Sequence, residues 1–242
     1  MAKTQNSRTR TKAKRPILKK ATDIATKVFI YFLLVSIFWV IALRFINPPL
    51  TLLMVLRNIE RKADGKPFKT EKTWVKFEDI SDNMKRGAVS AEDQLFLKHI
   101  GFDFKSIEKA FASNAKGKKV KGGSTISQQT AKNVFLWPGR SWIRKGFEAY
   151  FTLLIEIFWS KERILEVYLN VIEMGDGIYG AEAAAQAYYG KSCTKLTRNQ
   201  AALIASCFPN PRRWTPKNAT PYIRHRQYLI LKNMRRLGPL DF

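Results

Sequence analysis

Apolar residues run without a charged break from Val28 to Leu43 (VFIYFLLVSIFWVIAL), and Phe45 and Ile46 carry the run past Arg44. Counted to Ile46 this is 19 residues, enough to cross a bilayer at about 1.5 Å per residue if Arg44 snorkels to the far interface. Residues 1–27 before it hold nine Lys or Arg against Asp23 alone, and this composition predicts a disordered, solvated arm. A cleaved signal peptide is the rival reading. Its apolar stretch would be shorter and end on small residues, whereas this one ends in ALRFINPP, bulky and stopped by proline. The pattern therefore predicts an uncleaved transmembrane anchor over 28–46.

Residues 47–74 read as a connector, with Pro48, Pro49, Gly65 and Pro67 around one short helical stretch. From Ser81 the apolar period becomes three to four. It passes through Leu95, Phe96 and Ile100, then Phe104, Ile107 and Phe111, then Phe147, Phe151, Leu154, Ile155 and Phe158. A further helix through Ile164, Leu165, Tyr168 and Leu169 starts behind Ser160 as its cap, and LTRNQAALIASCF is amphipathic up to Pro209. No series of alternating strands stands out. The fold class expected for residues 75–242 is mainly α, with glycine-rich loops at 117–123 and 175–180.

Charge adds direction to this picture. Lys and Arg number 43 against 19 acids, a net charge of +24, of which about +15 remains beyond residue 46. The basic arm lies before the span, so the positive-inside rule places it in the cytoplasm and the following domain outside. That surplus favours an anionic partner, a phospholipid surface or a phosphate-bearing substrate, and the topology denies it nucleic acid. No nucleotide is expected outside the membrane, so a transferase there needs a substrate that arrives already activated. Cys193 and Cys207 make no disulfide framework and have no metal-site spacing; Cys207, within AALIASCF, reads as a small buried hydrophobe.

Three segments carry the candidate chemistry. In SAEDQLFLKHIGFD, Glu92 and His99 are seven apart and would share a helix face, with Phe96 beside Glu92. An aromatic neighbour raises a carboxyl pKa and nearby cations lower it, so the sequence leaves the protonation of Glu92 open, and an acid opening a helix is the plain structural alternative. GGSTISQQTAKN predicts a turn feeding a helix, with Thr125 as cap and Gln128 completing a capping box. Thr125, Gln129 and Lys132 then fall on one face, which lines a groove or belongs to an ordinary surface helix. In RKGFE, Arg144 and Glu148 are spaced for an exposed helical ion pair. That pair leaves the cluster of Arg140, Arg144 and Lys145 between Trp137 and Trp142 unexplained; lipid headgroups or a bound phosphate would satisfy it.

In order, EDQLFLKHIGFD, GGSTISQQTAKN, RKGFE, RILEVYLNVIEMG and LTRNQAALIAS resemble the motif series of the peptidoglycan glycosyltransferase family, which is shared with the bifunctional penicillin-binding proteins. The match covers about residues 75–215, and the chain looks like the single-domain branch. The resemblance implies a lysozyme-like helical glycosyltransferase domain over 75–242 that polymerises lipid II, with inversion at the donor sugar and release of undecaprenyl diphosphate. It assigns Glu92 as general base and Glu148 as the second glutamate, supporting the leaving diphosphate directly or through a divalent cation, Mg or Mn. Lys132 and Arg144 match cations that hold that diphosphate, while Thr125, Gln129, Asn133, Lys145 and Asn170 match groove residues, with Arg140 counted among the binding cations. It further implies no nucleotide cofactor, and as partners lipid II, the nascent glycan strand, membrane phospholipid and other cell-wall synthesis proteins. The implied location is a bacterial cytoplasmic membrane, with the catalytic domain periplasmic. The SxxK and SDN matches at Ser81, Ser106, Ser113 and Ser192 are out of order and lack KTG, so crosslinking is expected to fall to other enzymes. A lytic glycosidase would share a helical fold and a catalytic glutamate but has no use for a diphosphate-holding cluster. A non-enzymatic membrane scaffold leaves the two glutamates without a role.

Overall fold

A computed structural model of the protein describes residues 14–104, 108, 123–139 and 141–242, with side chains from residue 19 onward. The chain divides into two units, Met1–Phe45 and Ile46–Phe242. The described part of the first is one helix, α1 (Lys14–Phe45), within which Lys19–Phe45 is long and apolar enough to cross a membrane. It begins well inside the stretch expected to be a disordered arm. Residues 14–27 are rich in Lys, Ala, Ile and Leu, and their single proline, Pro16, sits in the first turn, where its missing N–H costs nothing, so the helix extends ahead of the apolar run. It stops just before Pro48 and Pro49, which cannot continue it.

The second unit opens with α2 (Leu52–Ala63), capped by the Thr51 hydroxyl, which accepts from Met54 N at 3.4 Å. A small sheet follows in the order β1 (Glu71–Lys72), β3 (Ile178–Tyr179), β2 (Glu173–Gly175), with β1 parallel and β2 antiparallel to the central β3. Strands of two or three residues are too short to show an alternating pattern in sequence. Among the described residues everything else regular is helical: α3 (Asp82–Glu92), α4 (Ile126–Phe135), α5 (Trp142–Phe158), α6 (Lys161–Val171), α7 (Gly180–Tyr189), α8 (Arg198–Ser206) and α9 (Pro221–Leu237). The mainly α, lysozyme-like class expected from the sequence is the one observed.

Helix α6 is the hub. Seven of its positions, Ile164, Leu165 and Val167 through Val171, are buried, so it is covered on nearly all sides as a central helix must be. It packs against α4 on one side and α7 on another, while α3 packs on α8 and α9. The turn into α7 closes tightly. Gly180 has φ +82° and lies against the backbone of Asn170, where a Cβ would come within 2.8 Å of the Asn170 carbonyl oxygen. Cys193 and Cys207 are both free and buried, and burial pushes the Cys193 thiol up to about 12.

Candidate active site

Helix α3 ends at Glu92 because Asp93 leaves helical geometry (φ −158°, ψ 79°) and turns its carboxylate to other donors. Asp93 accepts from Ile126 N at 3.0 Å, the first residue of α4, and from His99 Nε2 at 2.9 Å. One buried carboxylate thus ends one helix and anchors the start of the next, satisfying an N–H that the helix itself leaves unpaired. Glu92 and His99 therefore do not share a helix, contrary to the spacing argument, since the chain turns between them. Phe96 is fully buried instead, with Lys161 Nζ 4.7 Å from its ring centroid.

Glu92 thus closes a helix rather than opening one, and at that end the macrodipole disfavours its charge. Burial pushes its carboxyl above the ordinary value, with nearby Asp93 acting in the same direction. A hydrogen bond from Gln129 Nε2 to Glu92 Oε2, 2.8 Å, and the charges of Arg226 and Lys132 oppose the rise. Gln129 is itself oriented by Tyr168, whose hydroxyl donates to Gln129 Oε1 at 3.3 Å. With its oxygen so engaged, the amide turns its NH₂ to Glu92.

Helix α4 starts as predicted, with a capping box between Thr125 and Gln128. Thr125 is spent on that task. Its hydroxyl accepts from Gln128 N and donates to Gly101 O at 2.6 Å, so it borders the site as structure rather than offering a free hydroxyl. Gln129, Lys132 and Asn133 line a cleft of about 350 Å³ together with Arg144 of α5 and Tyr168 of α6, against apolar walls from Leu136, Trp137 and Phe208. Asn133 Nδ2 donates to Gln129 O at 2.8 Å. A second cleft of about 410 Å³ is lined by Glu92, Asp93, Gln94, Asp103, Ser124 and Thr125. Gln129 connects the two, because it lines the first and bonds the glutamate of the second.

Glu148 is buried, not the exposed pair its spacing suggests. Arg144 Nη1 lies 2.9 Å from one carboxylate oxygen and Lys145 Nζ 2.5 Å from the other. Burial lowers the Lys132 ammonium below its ordinary value, the charges of Arg144 and Lys145 lower it further, and Glu148 and Glu92 resist. Glu148 therefore holds Arg144 in place and offsets a crowd of three cations that would otherwise repel one another. Among the described residues no group of three His, Cys, Asp or Glu could hold a metal. With both oxygens of Glu148 already on cations, the donor set does not fit a protein-held Mg or Mn ion.

Asn170 is not a groove residue. Its Oδ1 accepts from Val75 N at 2.8 Å, and its Nδ2 donates to Val75 O at 2.9 Å and Glu166 O at 2.8 Å, so the whole amide clamps α6 to the segment before α3. Arg140 lies outside the described residues. Tyr168, Asp93 and Arg226 were not singled out from sequence as parts of the site. Asp93 and Tyr168 sit inside the recognised motifs, but Arg226 comes from α9 with no local signal.

A family model described as Transglycosylase matches residues 60–235. A biosynthetic peptidoglycan transglycosylase of Bacteroides thetaiotaomicron is 49% identical over 221 residues, 91% of this chain and 89% of the relative. Proteins of the same name from Pseudomonas fluorescens Pf-5 and Pseudomonas aeruginosa PAO1 are 46% and 44% identical, covering 89% of this chain in both cases and 90% and 93% of the relatives.

Proposed function

Because the chain belongs to the transglycosylase family, and is in that capacity a peptidoglycan glycosyltransferase, we propose that its reaction is the polymerisation of lipid II into linear glycan, with undecaprenyl diphosphate as the leaving group. The observation that carries this reading is the bridge at Gln129. A carboxylate suited to taking a proton lies in one cleft, cations suited to an anionic leaving group line the adjoining one, and a single amide touches both.

In the proposed step the sugar 4-hydroxyl at the end of one saccharide occupies the Glu92 cleft and gives its proton to the Glu92 carboxylate. The hydroxyl oxygen forms a bond to the anomeric carbon of the other sugar while the bond from that carbon to the diphosphate breaks, inverting α to β. Lys132 and Arg144 stabilise the charge that develops on the diphosphate, in a site where they are already fixed and need no reorganisation. The raised pKa of Glu92 suits a base, since a carboxyl nearer the working pH takes the proton more readily than one at its ordinary value. Glu148 acts through Arg144 and Lys145, not on the substrate.

One apolar helix fits a single-pass membrane protein. We place its basic start in the cytoplasm and the catalytic unit on the periplasmic side of the inner membrane, where lipid II, the nascent strand and phospholipid meet it, alongside other cell-wall synthesis proteins. The lack of an ordered SxxK, SxN and KTG set supports the absence of transpeptidase activity in this chain. The test is polymerisation of purified lipid II by the wild type and by Glu92→Gln, with products sized on a gel. Long glycan from the wild type and none from a folded variant is expected; a variant that still polymerises removes Glu92 as the base.

A further inference from the structure

The cation-lined cleft has a second polar feature that the proposed step does not use. Arg57 of α2 and Glu173 of β2 both line it, with Arg57 Nε 3.5 Å from Glu173 Oε2. Tyr179 is the cross-strand partner of Glu173 on β3. Arg57 Nε, Glu173 Oε1 and the Tyr179 hydroxyl are all buried, and among the described residues none of these atoms has a hydrogen-bond partner. The Glu173 side chain is only 8% exposed. Buried polar atoms are almost always paired, so the two orphans on the cleft-lining residues Arg57 and Glu173, beside a third on Tyr179, call for a partner from outside the chain.

The charges narrow the class of that partner. A cation would meet Arg57 and nearby Arg212, and an anion would meet the Glu173 carboxylate, so the surroundings favour a neutral group. What is offered is an acceptor on a carboxylate beside a donor on a guanidinium. A secondary amide complements both, because its N–H donates and its C=O accepts.

We propose that Glu173 and Arg57 bind a secondary amide of the saccharide substrate, its N–H donating to Glu173 and its C=O accepting from Arg57. The inference rests on the lipid II reading, whose sugars carry acetamido groups and whose stem carries peptide bonds. Both sources present the same chemistry.

Steady-state polymerisation by full-length wild type, Glu173→Leu and Glu173→Gln decides it. Loss of a hydrogen bond to a charged group is expected to raise KM for lipid II about tenfold or more in the Leu variant, with kcat nearly unchanged. Gln, which keeps an acceptor in the same shape, is expected to recover part of the loss, and it carries the comparison if the Leu variant does not fold. The variants are then compared on lipid II analogues, with the acetamido of each sugar replaced in turn by hydroxyl and with the stem peptide removed. The analogue on which wild type and variant become equal identifies the amide. A KM within about twofold of wild type in the folded variants, or the same penalty on every analogue, overturns the assignment and leaves the atoms to water. Failure of the wild type to polymerise lipid II at all would instead sink the proposed function.

Discussion

Gln129 Nε2 donates to Glu92 Oε2 at 2.8 Å, and this contact joins the helix that ends in the glutamate to the helix that carries Lys132. It favours the ionised carboxylate and so opposes the effect of burial.

Removing the amide should therefore move the pH profile in a known direction. Gln129→Leu takes away a bond to the charged form, so the Glu92 pKa rises further. A hydrogen bond to a charged group is worth about 1.5–3 kcal/mol, and a pKa unit about 1.4 kcal/mol. The ascending limb of kcat/KM is expected to shift by about one unit to higher pH or more, with activity partly regained at alkaline pH. An unmoved limb with a uniformly lower rate would mean that Gln129 serves the substrate, not the base.

Glu92→Gln should be inactive yet more stable. The folded-state pKa lies above the unfolded one, so the carboxyl's favourable contribution is complete below the unfolded pKa and is lost as pH rises through the folded pKa. A neutral amide does not lose it. The melting temperature at pH 8 is expected to rise by about 2–4 °C for each kcal/mol recovered, and the gain should shrink toward pH 4. Equal melting temperatures across that range would show that the carboxylate is not strained by burial.

Asn170 and Arg144 should fail in different ways. Asn170→Ala strips three backbone partners inside the core, and leaving Val75 unpaired is expected to cost about 1–3 kcal/mol of stability while KM for lipid II stays near wild type. Arg144→Met is expected to lower kcat by about 100-fold or more, as removal of a charge-stabilising donor does elsewhere. A changed KM in folded Asn170→Ala would return that residue to the groove.

Trp142 is 91% exposed and Ile143 beside it 72%, while Trp137 lines the cleft and remains 41% exposed. Exposed aromatics of this kind suit a lipid interface, which sets up a test. Replacing Trp137 and Trp142 with serine is expected to depress polymerisation of lipid II held in vesicles more than polymerisation of detergent-dispersed lipid II. Equal losses in the two presentations would count against membrane contact at this edge.

Much of the site was legible because its signals are local. The capping box at Thr125 and Gln128 and the stripe through Gln129, Lys132 and Asn133 depend on residues a few positions apart. Where the spacing argument failed, a side chain left the local pattern for a distant partner. The Asp93 carboxylate chose Ile126 N, which ended α3 and broke the expected pairing of Glu92 with His99. Asn170 chose Val75, which removed it from the groove.

Sequence alone determined the long apolar helix, the helix starts and the candidate reactive side chains, since hydrophobic run length, caps and chemical type are all properties of neighbouring residues. Tertiary structure decided which of those side chains share a cleft. Burial of an apolar face is non-directional and says that a helix must be covered, not by what. The approach of Arg226 to Glu92, the burial of Glu148 and the meeting of Arg57 with Glu173 follow from how the helices and the small sheet pack, and no spacing along the chain encodes them.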